Sequence, residues 1–258
     1  MNLLQEIKHG SKWEGKDDFP STRRWKTEVE KWLEFLKDEG QFEKFLPRLR
    51  DNPSRRNEVF SEISAAYFIQ KIKNCSIIEW EPRGENGSIG EFSFNVSGII
   101  IFCEVKSPGW EAEIAKKNKN SPRIRQPKYI NGEGRAFNNA VDIRMSVEKA
   151  YPKFRKDIIN LLIIVDDLFV SLVDDIFGMN EALLGSPYTD NRSNGCFVNS
   201  DFNRLSAIAS LNVQETGKLK YFWKLYSNPF ALLKIPEFFC SGSYIFEVID
   251  LIRGELRD

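Results

Sequence analysis

The chain has 258 residues, of which 41% are hydrophobic and 13% aromatic, enough for one large domain with a substantial core. Its 37 basic residues balance its 37 acidic residues, so the net charge argues neither for nor against nucleic-acid binding. His9 is the only histidine and lies near the N-terminus, which excludes histidine-based triads and metal sites. The four cysteines are widely spaced without a CxxC pair, which argues against a zinc site or a disulfide framework. Any chemistry must therefore use carboxylates, lysines and backbone groups.

The N-terminus has no apolar leader, and no apolar run is long enough to cross a membrane. We therefore expect a soluble, cytoplasmic protein with reduced thiols, no membrane partner and no organic cofactor.

The first 52 residues read as a helical extension. Ser21 or Thr22 can cap a helix that runs to about Glu39, and residues 41–49 form a shorter amphipathic piece that Pro47 is expected to break. The turn-forming residues 51–54 mark a boundary. We expect residues 1–52 to pack as a helical extension on a main domain spanning residues 53–258.

The next predicted helix, residues 55–73, carries a carboxylate on its apolar stripe. Glu62 shares that stripe with Val59 and Ala66, whereas Glu58 lies at its edge. An inward carboxylate is costly unless it is paired, protonated or bound to a metal. A salt bridge at the core margin, with Arg55 as the candidate partner, is the structural alternative to a functional role.

A β-hairpin is predicted over residues 89–108. Polar and apolar residues alternate from Glu91 to Val96, Ser97-Gly98 is a turn signal, and a β-branched run follows. A two-residue turn places Glu91 directly opposite Glu104, with Lys106 further along the same face. Opposed like charges destabilise an antiparallel pair, so this arrangement indicates a cation between the two carboxylates.

Oxygen ligands of this kind suit Mg²⁺ or Mn²⁺. Glu91 and Glu104, helped by Glu62 and the Val105 carbonyl, would supply the ligands, and the ion would activate a water for attack on a phosphate. The Lys106 ammonium would reach the same place and could orient that water or neutralise the transition state.

Further elements complete an α/β pattern: a strand at 77–81, a glycine-rich loop, a helix at 140–154, a buried strand at 161–165, strands at 205–213 and 221–226, and a strand or helix at 244–252. Residues 116–135 are strongly basic, and their position directly after the carboxylate strand favours contacts with phosphates. The alternative is a solvated loop in a soluble α/β protein that has no nucleic-acid role. The candidate nucleic-acid-binding residues are Lys116, Lys117, Lys119, Arg123, Arg125 and Lys128.

Three weaker candidates have simpler explanations. Asp166-Asp167 could bind a metal but is favoured as a solvated strand end or helix cap, and Asp174-Asp175 as an exposed helix face. The aromatic stretch 221–226 could stack on bases, but a core strand with one wet face is favoured.

The order of these elements resembles the PD-(D/E)XK nuclease superfamily, the restriction-endonuclease-like proteins, over roughly residues 55–165. The residues that carry the resemblance are Glu62, Glu91 and the Glu104-Val105-Lys106 triplet. The number of residues between Glu91 and Glu104 is also usual for this superfamily. The resemblance implies an α/β fold with a mixed central sheet flanked by helices. It also implies an assisting polar residue on the helix after the hairpin, where Lys149 or Lys153 matches. The family usually has Asp and Pro where this chain has Glu91 and Gly90.

We therefore expect a Mg²⁺-dependent deoxyribonuclease that catalyses phosphodiester hydrolysis, with endonuclease activity favoured over exonuclease activity. Restriction, phage defence and repair all remain open, as does the oligomeric state; the resemblance makes a homodimer one possibility, because related nucleases that cut both strands are often dimers. The alternative is a catalytically weakened or inactive nuclease-fold protein that binds nucleic acid or a partner, because Glu91 and Gly90 depart from the family pattern.

Overall fold

The computed structural model describes residues 2–16, 19–107, 139–165, 176–185, 194–216, 218–236 and 244–247. Within these ranges the helices are α1 (Leu3–Lys8), α2 (Arg23–Asp38), α3 (Phe42–Leu49), α4 (Pro53–Lys71), α5 (Asn139–Ala150) and α6 (Ile176–Leu184). The strands are β1 (Cys75–Trp80), β2 (Phe92–Val96), β3 (Ile99–Lys106), β4 (Ile159–Val165), β5 (Ala207–Thr216), β6 (Lys218–Ser227) and β7 (Tyr244–Glu247). Short 3₁₀ turns occupy Glu85–Gly87 and Tyr151–Lys153.

The described strands form one mixed sheet in which the seven strands lie in chain order. Strands β3, β4 and β5 run parallel, and the pairs on either side of them are antiparallel. The predicted α/β fold with a mixed sheet and flanking helices is confirmed. The succession α4, β1, β2, β3, α5, β4 follows the order expected from the sequence. No helix in the described ranges is long and apolar enough to cross a membrane.

The hairpin of β2 and β3 has the predicted register. Val96 pairs with Ile99 and Phe92 pairs with Cys103. Ser97 and Gly98 both have positive φ, 51° and 90°, as a two-residue type I′ turn requires. The Glu91 amide donates to the Cys103 carbonyl at 3.1 Å, so the pairing reaches the point where Glu91 faces Glu104.

The sheet separates two hydrophobic clusters, and strand β3 contributes to both. Its residues Ile101, Cys103 and Val105 pack with helices α1 to α4 on one face. Phe102 packs with α5 and α6 on the other face. Because side chains alternate along a strand, Glu104 and Lys106 project toward the face of Phe102 and α5.

The N-terminal helices share the first cluster with α4 and the sheet. Polar contacts reinforce this packing: the Trp32 indole donates to the Tyr221 hydroxyl at 2.6 Å, and that hydroxyl donates to Glu28 Oε1 at 2.7 Å. Tyr221 is buried, as the core-strand interpretation of 221–226 predicts. The division into 1–52 and 53–258 stays a prediction; at this point Asn52 caps α4 and Pro53 occupies its first turn.

One local prediction was wrong. Pro47 does not break the third helix, which continues to Leu49. Proline removes the amide that would bond the carbonyl of Glu43 four residues earlier. Both residues are exposed, so water can satisfy that carbonyl.

Gly90, which precedes Glu91, is held between backbone and an aromatic ring. A Cβ atom added there would lie 2.7 Å from Cε2 of Phe102, a ring that is 1% exposed and packs edge-on against Phe154. The Gly90 amide also donates to the Pro82 carbonyl at 2.9 Å. A proline at this position would clash with the ring and lose the hydrogen bond, which gives a physical reason for glycine at this position.

We expect Gly90→Ala to lower the free energy of unfolding by roughly 1–3 kcal/mol, because the buried Phe102 ring must move. Denaturant unfolding of Gly90→Ala, Phe102→Leu and the double variant checks this. The smaller Leu side chain makes room for the methyl group, so the double variant should lose less stability than the sum of the single variants. Additive losses would show that the ring does not restrict this position.

Candidate active site

Glu104 is a fully buried carboxylate at the C-terminal end of β3. Its side chain has no exposed surface, and it accepts hydrogen bonds from two ammonium groups, Lys106 Nζ and Lys153 Nζ, each at 2.9 Å. Lys106 lies two residues further along the strand, and Lys153 comes from the 3₁₀ turn that follows α5. The cost of burying a charge at this depth is offset only by such close partners.

Lys106 lies among three carboxylates. Its Nζ is 2.9 Å from Glu104 Oε2 and 3.7 Å from Glu91 Oε1, and it also donates to the Val105 carbonyl at 3.1 Å. Burial lowers the pKa of Lys106, but Glu104, Glu91 and Glu62 together outweigh burial, and the pKa is raised overall. Lys106 is therefore a cation at neutral pH, suited to neutralising charge on a phosphate rather than to acting as a base.

Glu91 immediately precedes β2 and faces Glu104. Burial and the negative charge of Glu104 raise the pKa of Glu91, and Lys106, Lys153 and Arg48 lower it in part. The carboxylate therefore has an energetic reason to bind a further positive charge.

Glu62 projects inward from α4, as the helical periodicity predicts, and is 8% exposed. Its partner is Arg48 on α3, whose Nη2 donates to Glu62 Oε1. The alternative pairing with Arg55 is wrong, because Arg55 pairs with Glu58 at 3.4 Å on the exposed side of the same helix. Burial and the charge of Glu91 raise the pKa of Glu62 to about 8, although Arg48 and Lys106 oppose this shift.

The three carboxylates approach the end of β3 from different directions. Glu62 comes from α4, which packs on the face of Cys103 and Val105, whereas Glu104 belongs to the opposite face. Within the described residues, no group of three or more His, Cys, Asp or Glu side chains is spaced to hold a metal ion. Carboxylates and a backbone carbonyl are the types of oxygen ligand that Mg²⁺ prefers. In the structure, however, arginine and lysine side chains are paired with Glu62 and Glu104.

Sequence reasoning missed one cation of this cluster, Arg48, and offered another, Lys153, as one of two candidates. Arg48 carries no local signal, because it lies in a different helix from Glu62 and meets it only through tertiary packing. For the residue after the hairpin, the resemblance offered Lys149 or Lys153, and the structure brings Lys153 to Glu104 while Lys149 is exposed.

Several predicted residues lie outside the described ranges. These are the basic residues Lys116, Lys117, Lys119, Arg123, Arg125 and Lys128, and the acidic pairs Asp166-Asp167 and Asp174-Asp175. Their proposed roles stay predictions.

The raised pKa of Glu62 determines whether the protein becomes more or less stable as the pH rises. The folded protein keeps the proton on Glu62 up to about pH 8, whereas the unfolded chain releases it near the ordinary value of 4.5. The unfolded state then binds fewer protons across this window, so stability falls as pH rises from about 4.5 to 8. We expect Glu62→Gln to show a shallower fall in melting temperature over this window, measured without divalent ions.

Glu58→Gln is the matched control for this measurement, because Glu58 is on the same helix but half exposed. It should reproduce the wild-type pH profile. A Glu62→Gln profile parallel to the wild type would contradict the assignment of this pH dependence to Glu62.

Comparison with known proteins gives one distant likeness. No family model matches the chain, and a search of curated proteins finds no match. Among solved structures, the chain is similar to SfsA of Pyrococcus furiosus in complex with Ca²⁺, at 16% identity and a TM-score of 0.26. The alignment covers 63% of this chain and 59% of SfsA, so the chain spans less than two thirds of that protein. A likeness at this level carries no conclusion about activity.

Proposed function

We propose that this protein is a metal-dependent nuclease that hydrolyses phosphodiester bonds in DNA. The observation that carries the proposal is the position of Lys106, a half-buried ammonium within 3.7 Å of Glu91 and 2.9 Å of Glu104 at the end of the hairpin. Opposed carboxylates with a lysine among them suit phosphate chemistry, because they combine oxygen ligands for a hard cation with a fixed positive charge.

The electrostatics of the acids support a site for a divalent cation. Glu62 and Glu91 both have a raised pKa because each is buried beside another carboxylate. A cation bound by Glu91, Glu104, Glu62 and the Val105 carbonyl would favour the ionised forms. Bound Mg²⁺ or Mn²⁺ would supply Lewis acidity and a more acidic water.

The protein's own residues would do the remaining work. Lys106 is held between the Glu104 carboxylate and the Val105 carbonyl, so its charge is fixed before substrate arrives. A preorganised cation of this kind stabilises the extra negative charge that develops on a phosphate during hydrolysis. Lys153, on the other side of Glu104, fixes the orientation of that carboxylate.

Cleavage of covalently closed circular DNA tests the proposal, because a circle has no ends and its cleavage identifies an endonuclease. With Mg²⁺ or Mn²⁺ we expect the wild type to linearise or nick the circle. Glu104→Ala and Lys106→Ala should each lose about a hundredfold or more in rate, since each removes a ligand or a charge from the reacting centre.

Glu58→Ala, a change of an exposed carboxylate on α4, should leave the cleavage rate unchanged. The proposal fails if the wild type cleaves no DNA with either ion while Glu104→Ala and Lys106→Ala bind DNA as the wild type does.

A second candidate function is a catalytically silent protein on the same fold that binds nucleic acid or a partner. The observation that favours it is that cationic side chains already contact two of the carboxylates, since Arg48 pairs with Glu62 and both Lys106 and Lys153 pair with Glu104. Glu91 also favours this second function, because its side chain is longer than the Asp that the PD-(D/E)XK superfamily usually has at this position.

Glu91→Asp separates the two functions. In a weakened nuclease the shorter side chain should raise the cleavage rate by roughly tenfold or more, because it restores the ligand length that the family uses. Rates are measured on the same circular DNA with saturating Mn²⁺. Absence of cleavage in both proteins, together with intact DNA binding, would favour the silent binder.

A further inference from the structure

Arg48 connects the N-terminal helices to the candidate active site. It lies on α3, and its guanidinium donates to Glu62 of α4. The Arg48 Cζ atom is 5.3 Å from the centroid of the Phe45 ring, one turn earlier on α3. Its electrostatic effect also reaches Glu91, whose pKa it helps to lower.

The hydrogen bonding of Arg48 is incomplete. The Nε atom is buried and has no hydrogen-bond partner among the described residues. A guanidinium carries five N–H donors in a fixed plane, a geometry that matches two oxygens of a carboxylate or a phosphate. Among the described residues, Arg48 uses this capacity in the bond that Nη2 donates to Glu62.

Charge counting shows when Arg48 would change partner. Three carboxylates, Glu62, Glu91 and Glu104, face three cations, Arg48, Lys106 and Lys153, so the cluster is neutral when all six are charged and carries an excess positive charge when Glu62 is protonated. Glu104 has two lysine partners, whereas Glu62 depends on Arg48. If the carboxylates also bind a divalent cation, the cluster gains positive charge. The electrostatic attraction that holds Arg48 at Glu62 is then weaker.

We propose that Arg48 is a substrate-binding residue that leaves Glu62 and binds a phosphate oxygen of the DNA when a divalent cation occupies the carboxylates. This inference rests on the proposed nuclease function. It makes the N-terminal helices part of the substrate site rather than only a layer packed on the sheet. Arginine suits this exchange because the same planar donors fit a carboxylate and a phosphate.

The test measures how DNA binding depends on salt for the full-length wild type and for Arg48→Met. Binding of a short fluorescent duplex is followed with Ca²⁺ present and with a chelator instead. With Ca²⁺, Arg48→Met should weaken binding by about tenfold or more and reduce the slope of log affinity against log salt by about one, as loss of a phosphate contact requires. With the chelator the two proteins should differ little, because Arg48 is then paired with Glu62.

Two further variants isolate the role of Arg48. Arg55→Met removes an equal charge from the exposed Arg55–Glu58 pair and should not change the slope in a cation-dependent way. Arg48→Lys keeps the charge without the planar donors and should keep the wild-type slope with reduced affinity. Calorimetry should show Ca²⁺ binding to Arg48→Met at least as tightly as to the wild type, since a competitor for Glu62 is gone.

Three results overturn the proposal. An equal loss of DNA affinity with and without Ca²⁺ would make Arg48 a structural counterion only. Unchanged DNA binding in Arg48→Met, beside a wild type that binds Ca²⁺ and cleaves, would refute the role of Arg48 and leave the nuclease function standing. A wild type that binds no divalent cation would refute both.

Discussion

The structure around the hairpin depends on the burial of one charged side chain, the Glu104 carboxylate, which has no exposed surface. Its charge is tolerable there only because Lys106 and Lys153 each place an ammonium at 2.9 Å. Lys106 reaches Glu104 because alternate side chains of β3 lie on the same face, and Lys153 reaches it from the 3₁₀ turn that follows α5. The hairpin, the parallel pairing of β3 with β4 and the position of α5 therefore have to be correct together for this one charge to be buried.

The same constraint explains the chemical character of the surrounding acids. Lys106 is shared among Glu104, Glu91 and Glu62, and one ammonium cannot fully compensate three carboxylates. Glu62 recruits Arg48, and its pKa is still raised to about 8. Glu91 has no cation closer than Lys106 at 3.7 Å in the ion pairs of the described residues. The ionised forms of Glu62 and Glu91 are therefore incompletely compensated, so added positive charge is favourable and removal of any one cation is costly.

The sequence was sufficient where local rules decide the outcome. The register of the hairpin follows from the Ser97-Gly98 turn and from strict alternation, so the pairing of Glu91 with Glu104 could be predicted. The inward direction of Glu62 follows from helical periodicity. Partners across the fold could not be predicted in this way: Arg48 was missed, and Arg55, a neighbour on the same helix, was the natural but incorrect choice. Lys153 could not be separated from Lys149, because the Pro152 turn changes the direction of the chain between them.

The contact between Gly90 and Phe102 adds a step that concerns the identity of residue 91. The backbone before Glu91 lies against the Phe102 ring, which is fixed in turn by Phe154, the residue after Lys153. The backbone at Gly90 is therefore connected to the segment that carries Lys153 through the packed rings of Phe102 and Phe154. Glu at position 91 extends its carboxylate further from this backbone than Asp would, and its Oε1 atom lies 3.7 Å from Lys106 Nζ. Gly90 and Glu91 therefore belong to one local arrangement, in which Gly90 lies against Phe102 and Glu91 lies beside Lys106.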